Sequence, residues 1–204
     1  KDVLMSIEKA KNDDRIKLIY LNFGEVNAGL SCIEEIRAKL VDYKTSGKQI
    51  IAYSNYYSQY SYLLCSVADK IYLNPNGFID LKGISASVVF FKNLLAKIGV
   101  ETQIIRKGQF KSAVEPFTET KMSESSRLQT KLLIEDISEF MTNCISEERS
   151  IEVSKINNDI NELRLNSAAA CKKLNYIDEI LYEDQLIDSL KLFSSSEKIN
   201  TIDL

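Results

Sequence analysis

The sequence predicts an α/β domain built on a parallel sheet, and three observations lead there. Apolar runs of strand length alternate with segments of helical spacing over residues 1–120. The first of those runs is apolar on both faces in its middle, as in a strand covered by helices on either side. Only seven glycines and two prolines punctuate the 204 residues, 45% of which are hydrophobic, enough for one domain with a substantial core.

The elements follow in order. "DVLMSIEKAKND" places Leu4, Ile7 and Ala10 at helical spacing, and "IKLIYLNF" (16–23) is the first strand. "SCIEEIRAKLVDYKTSG" opens with a capping box, Ser31 with Glu34. It repeats apolar residues at Ile33, Ile36, Leu40 and Tyr43, and Gly47 ends it. "KQIIAYS" (48–54) predicts a strand, "SQYSYLLCSVAD" (58–69) a helix and "KIYLNP" (70–75) a strand. A loop containing Gly77 and Gly83 leads to a helix over "SVVFFKNLLAKIG", then to a strand over "VETQIIRK" (100–107). Such alternation implies right-handed crossovers.

From Ser123 the character changes. "SESSRLQTKLLIEDISEFMTNCISEERSI" keeps apolar residues at 128, 132, 134, 137, 141, 144 and 145, a long amphipathic helix. "NSAAACKKLNYIDEI" predicts a helix closed by Asn175 in the left-handed conformation, with a short strand after it. "EDQLIDSLKLF" is a last helix, and "SSSEKINTIDL" is a polar tail or linker.

Composition excludes several functions. A net charge of −3 argues against a nucleic-acid protein, which would carry a concentrated basic face. The longest apolar runs fall far short of the roughly 20 residues that span a bilayer. The chain starts at Lys1 rather than at a methionine and is read as an internal piece of something longer. Cys32, Cys65, Cys144 and Cys171 lie far apart with no C-x-x-C pair, and with no histidine present they are read as buried free thiols rather than a zinc cluster. No cofactor is expected.

Three sets of residues could carry chemistry. Tyr53, Tyr56, Tyr57, Tyr60 and Tyr62 cluster where residues 49–69 hold no Lys or Arg. Packing, or lining a groove for an extended peptide, therefore suits them better than stacking on bases. Ser58, Ser61 and Ser66 sit at or near a helix start, where a nucleophile would find backbone N–H donors; capping is the favoured reading, and no G-x-S-x-G elbow is present.

Lys111 is the third candidate, a possible base in a chain without histidine. An ordinary lysine, pKa about 10.4, is neutral in about one molecule in 2,500 at pH 7. Lowering that to about 8 takes roughly 3 kcal/mol of destabilisation of the ammonium. The apolar flanks Phe110, Ala113, Val114 and Phe117 suit such burial, whereas Glu115 would oppose it if the two side chains met. On physics alone Lys111 is suggestive and no more.

The run "GQFKSAVEPFTETKMSESSR" resembles the lysine motif of the protease IV (signal peptide peptidase A) family, serine proteases with a Ser–Lys dyad. The family pattern, approximately G-x-[YF]-K-S-A-x-E-P-F followed by a polar spacer and M-S, is matched at Gly108, Phe110, Lys111, Ser112, Ala113, Glu115, Pro116, Phe117, Met122 and Ser123. "IEKAKNDDRIKLIYLNF", "YKTSGKQIIAYSNYYSQYSYLLCSVADKIYLNPNGFIDLKG" and "KKLNYIDEI" are similar to further family segments in the same order. The resemblance implies a Clp/crotonase-type spiral of ββα units with an added C-terminal helical part. It divides the chain into a core over 1–122 that ends in the lysine motif, a helical extension with a short strand over 123–191, and a tail over 192–204.

The chain is most similar to the N-terminal half of double-length members, where one half supplies the lysine and the other the serine. Nucleophile-bearing copies start the helix after the "IIAYS"-type strand near A-S-G-G-Y; matching that tyrosine to Tyr62 puts Gln59 at the serine position. The P-G-G turn of the oxyanion hole is "AGL" here, with only Gly29 kept, and a T-G-S segment corresponds to "DLK" (80–82). The resemblance thus implies a serine endopeptidase in which Lys111 is the catalytic general base and the serine comes from a second protease domain. This chain alone would be inactive. Implied partners are signal-peptide-like apolar peptides and further copies in a homo-oligomer. The implied location is a bacterial cell membrane, with the protease domain outside the cytoplasm and the anchor elsewhere. The alternative is a non-catalytic structural or substrate-binding copy. A third reading, an acyl-CoA enzyme on the same fold, lacks a recognisable set of catalytic carboxylates and leaves the lysine motif unexplained.

Overall fold

The computed structural model describes residues 2–103 and 112–194. The chain divides into two compact units, one made of Lys1–Lys82 with Thr142–Leu204, the other of Gly83–Met141. The first holds a four-stranded sheet in the order β1 (Leu18–Asn22), β2 (Gln49–Ser54), β4 (Lys70–Leu73), β6 (Glu179–Ile180), parallel at every pairing. A second, two-stranded parallel sheet pairs β3 (Tyr57–Ser58) with β5 (Ile79–Asp80). The α/β class is therefore as expected. Strands β3 and β5 escaped the sequence reading because two residues are too few to show an alternation.

Position in the sheet decides how each strand is covered. The central strand β2 is buried from Ile50 to Ser54, and its side chains divide by parity. Ile51 and Tyr53 pack with Leu186 and Leu190 of α9 (Glu183–Ser194), flanked by Leu18, Tyr20, Tyr72 and Leu181. Strand β1, expected to be covered on both faces, is only half-buried over Leu18–Leu21, because it is the sheet's edge. Gly77 lets the loop between β4 and β5 turn back closely: a Cβ there would lie 2.5 Å from the Asn55 carbonyl oxygen.

Helix α1 (Asp2–Asn12) packs on α2 (Leu30–Lys44) through two ion pairs, Lys11–Asp42 at 2.6 Å and Lys39–Glu8 at 2.7 Å. The end of α1 is closed by Lys48, whose ammonium donates to the carbonyls of Ala10, Lys11 and Asp13 at 2.7–3.1 Å. In α2, Ile33, Leu40 and Tyr43 are buried as their spacing predicts, and Gly47 (φ +78°) ends the turn that follows. The Ser31–Glu34 capping box does not form. The helix starts earlier, with Gly29 as its cap and the Gly29 carbonyl accepting from Cys32 and Ile33, so Ser31 already lies inside the first turn.

After β2 comes α3 (Gln59–Cys65), whose far end is held by the buried Arg37 of α2, donating to the Leu63 carbonyl and to Ser66 Oγ. Helix α7 (Val153–Asn161) went unrecognised in the sequence, although Ile156 and Ile160 have helical spacing. It is set off by Ser150 (φ +53°) and Leu163 (φ +50°) in the left-handed region. Helix α8 (Ala168–Lys173) ends as predicted, with Asn175 at φ +68°. Two bonds complete the motif: Tyr176 N–H to Cys171 O at 2.9 Å and Asn175 N–H to Lys172 O at 3.1 Å.

The second unit contains α4 (Lys92–Lys97), α5 (Glu115–Thr118) and the first part of the long helix α6 (Glu124–Arg149). The helix expected over 87–99 is realised only from Lys92. Val88, Val89 and the two phenylalanines are weak helix formers, and the Phe91 N–H is taken by the Pro116 carbonyl at 2.6 Å. Of the strand expected over 100–107, residues 100–103 are not strand, and 104–107 lie outside the described residues. Helix α6 is as long as predicted, yet its apolar face is buried only from Met141 onward, while Leu128 and Leu132 remain exposed. Residues 195–204 of the expected tail lie outside the described residues.

Candidate functional site

The site separates into residues of the first unit and residues of the second. In the first, the chain leaves β2 at Ser54, forms β3 and enters α3 with Ser58 as its cap. Ser58 Oγ accepts the Ser61 N–H at 3.3 Å and donates to Ser61 Oγ at 3.1 Å; Ser61 Oγ donates in turn to the Ser58 carbonyl at 3.0 Å. Ser61 is completely buried. Both serines are thus held by the cap, as the favoured reading of them expected. Ser66 closes the other end of the helix, donating to Leu63 O at 2.9 Å. Gln59 is the first helical residue, directly after the cap.

Strand pairing brings a second predicted position beside this one. Ser58 stands opposite Asp80 in the β3–β5 register. Two residues on, Lys82 turns its ammonium back onto Asp80 at 2.6 Å, so the "DLK" segment carries an ion pair. Gly29 caps α2 with open space where a Cβ would stand.

The tyrosine cluster is mostly core. Tyr53, Tyr57 and Tyr62 are at most 1% exposed, so of the two readings offered for the cluster these three follow packing. Their hydroxyls serve the fold: Tyr57 donates to Tyr72 O at 2.8 Å and Tyr62 to Tyr176 O at 2.7 Å. Burial pushes both phenols well above the ordinary tyrosine pKa. Tyr56 stays on the surface and stacks on the equally exposed Phe78, ring centroids 6.0 Å apart, while Tyr60 is half-buried.

The cysteines divide. Cys65 and Cys171 are fully buried, and burial raises both thiols, Cys171 to about 11. Cys144 is half-buried and its thiol is raised as well, again by burial. Cys32 is exposed, against expectation, because its place in the first turn of α2 faces away from the buried row of Ile33, Leu40 and Tyr43.

In the second unit, Lys111 itself lies outside the described residues. The rest of its motif is described from Ser112 onward. The chain turns tightly at Ser112–Glu115, with Glu115 N–H bonded to Ser112 O at 2.9 Å, and enters α5. Glu115 is only 2% exposed. Its carboxylate accepts the Ser123 hydroxyl at 2.6 Å and the Ser123 N–H at 3.1 Å. The sequence had suggested Glu115 only as a possible counter-charge to the lysine. Its pairing with Ser123 was missed, although the glutamate and the serine both belong to the recognised pattern.

The model of peptidase family S49 matches residues 42–195, a span that takes in α3, β4 and the lysine motif. The chain belongs to peptidase family S49. An S49 relative, "Protease 4" of Haemophilus influenzae, is 36% identical over 157 residues, covering 76% of this chain and 25% of its own length. "Protease 4" of Salmonella typhi is 33% identical over 156 residues with the same coverage, 76% and 25%. "Serine protease SPPA, chloroplastic" of Arabidopsis thaliana is 26% identical over 198 residues, covering 96% of this chain and 29% of its own. The chain therefore spans roughly a quarter of the length of these three relatives. Membership in S49 bears out the resemblance read from the lysine motif and its neighbours. No helix among the described residues is long and apolar enough to cross a membrane.

Proposed function

We propose that this chain is the lysine-bearing part of an S49 serine endopeptidase, in which Lys111 is the catalytic general base toward a serine on another domain copy. The observation that carries the proposal is the start of α3: Ser58 and Ser61, on either side of the position where the resemblance puts Gln59 in place of the nucleophile, are both bound into the cap. The Asp80–Lys82 pair supports it, since a charged side chain stands where a helper hydroxyl is expected. A single retained glycine at the α2 cap, Gly29, is consistent with an oxyanion site left incomplete.

In the proposed reaction the neutral Lys111 Nζ takes the proton of the serine hydroxyl as its oxygen attacks the peptide carbonyl. The ammonium then gives a proton to the leaving amine, and the same group activates a water that hydrolyses the acyl-enzyme. Substrates are apolar extended segments of the kind found in cleaved signal peptides; the exposed Tyr56–Phe78 stack offers an apolar surface beside β3 and β5 for such a chain. The delivery of alternate strands to two sheets, β2 then β3 and β4 then β5, supports a Clp/crotonase-type spiral with its core over 1–122, a helical extension over 123–191 and a tail over 192–204. The working protein is a homo-oligomer held at a bacterial membrane with this domain outside the cytoplasm.

The test is turnover of an apolar fluorogenic peptide by the complete protein and its Lys111→Ala variant. Loss of about 10²–10⁴-fold in kcat is expected for removal of a general base. Near-normal turnover in the variant would instead identify this chain as a structural or substrate-binding copy.

A further inference from the structure

We infer that Glu115 is a positioning residue for the base: clasped to Ser123, its buried carboxylate fixes the loop that follows Lys111 against the first turn of α6. The inference rests on the proposed role of Lys111 and adds a brace on the loop that begins at Ser112.

The clasp joins residues eight positions apart, with Oε1 receiving the Ser123 hydroxyl at 2.6 Å and Oε2 the Ser123 backbone N–H at 3.1 Å. Ser123 is at the same time the cap of α6. Its Oγ accepts the Ser126 N–H at 3.2 Å, and its carbonyl accepts the Arg127 N–H at 2.9 Å. In a capping box the residue three beyond the cap, usually Glu or Gln, reaches back to the cap's own N–H. Here that residue is Ser126, which has no such reach, and Glu115 supplies the missing acceptor from outside the helix.

Capping alone does not account for this arrangement. Taking a carboxylate out of water costs several kcal/mol. Glu124 already provides a negative charge in the first turn of α6. What the Ser123 contacts of this buried carboxylate add is a fixed loop. The same segment is tied at further points: Glu115 N–H to Ser112 O at 2.9 Å, Phe91 N–H to Pro116 O at 2.6 Å, and the Phe117 ring stacked on Phe91 with centroids 6.0 Å apart. Ser112, the first residue of this braced turn, is covalently next to Lys111.

A lysine base gains most from such bracing. Its Nζ rides on a flexible four-carbon stem, yet must reach a hydroxyl within about 2.6–3.2 Å to take its proton. Displacing a catalytic group by about 1 Å costs on the order of 10²-fold. Fixing the backbone beside Lys111 removes one source of that displacement.

The experiment compares Glu115→Gln, Ser123→Ala, Ser123→Thr and Lys111→Ala in the complete protein, reading kcat and KM on an apolar fluorogenic peptide across pH. Expected for Glu115→Gln and Ser123→Ala is a fall in kcat of at least about tenfold with KM within about twofold, and an ascending limb of the pH profile displaced by more than about half a unit. Ser123→Thr keeps the hydroxyl and is expected to retain kcat within about threefold of the parent. Should Glu115→Gln fail to fold, the Ser123→Ala and Ser123→Thr pair carries the same contrast. Unchanged kcat and pH profile in folded Glu115→Gln and Ser123→Ala, beside an inactive Lys111→Ala, would overturn the positioning role alone. Full activity in Lys111→Ala would remove the base, and the positioning role with it.

Discussion

Asn175 holds a backbone conformation, φ +68°, that side chains with a Cβ adopt at a cost of roughly 1–2 kcal/mol, asparagine less than most. It does so because the two bonds that close α8 require the chain to reverse there. Asn175→Ala is expected to destabilise the chain by about 1 kcal/mol, and Asn175→Gly by no more than a few tenths, measured as shifts in the urea midpoint. One residue on, the Tyr176 carbonyl takes the Tyr62 hydroxyl at 2.7 Å in a site closed to water. Tyr62→Phe removes that donor and is expected to cost about 1–3 kcal/mol. The thiols give a third check at this scale. Iodoacetamide at pH 8 is expected to modify the exposed Cys32 in the native chain and to reach Cys65 and Cys171 only after denaturation, read by peptide mass mapping.

Among the elements, β6 is short, two residues paired to β4, and a single carboxylate does much to hold it. Asp178 accepts the Ile71 N–H at 2.9 Å and pairs with Arg149 at 3.1 Å and Lys70 at 3.2 Å. Burial alone would raise its pKa; the Ile71 N–H and the two cations outweigh that and hold it below the usual carboxylate range. A folded pKa below the unfolded one contributes stability that is present above the unfolded value, about 3.9, and lost as pH falls through the folded one. Asp178→Asn is therefore expected to lose about 2 kcal/mol at pH 7 and to show a shallower loss of stability in acid, followed by circular dichroism melts between pH 2 and 7. Elements governed by their own periodicity, such as α2 and β2, were legible in the sequence, as was the Asn175 stop, because each depends on residues close at hand. Those governed by distant partners were not. Phe91 opens α4 late because its N–H goes to Pro116, and the β3–β5 pair joins residues more than twenty positions apart. The candidate site divides the same way: the Ser58 cap could be read locally, whereas the Glu115–Ser123 clasp needed the fold of the loop between them.

For the whole molecule, the chain covers 25% of the length of two "Protease 4" relatives, and the site proposed above draws its serine from sequence beyond these 204 residues. The two serines near the start of α3, Ser58 and Ser61, are the obvious internal substitutes, and their geometry argues against them. Ser61 is fully buried, and Ser58 Oγ already accepts one N–H while its proton goes to Ser61. Releasing the Ser58 hydroxyl would leave the Ser61 N–H at the start of α3 without its acceptor, a cost of about 1–2 kcal/mol for a lost cap before any gain in reactivity. A fluorophosphonate probe, which reacts with base-activated serines, distinguishes the cases directly. The isolated 204-residue chain is expected to remain unlabelled. The complete protein is expected to take up one probe per active site on a serine outside this chain, and Lys111→Ala to slow that labelling by about 10²-fold or more. Labelling of Ser58 or Ser61 in the isolated chain, abolished by Lys111→Ala, would mean that the cap opens to complete a dyad within a single domain, and that the division of base and nucleophile between copies is wrong.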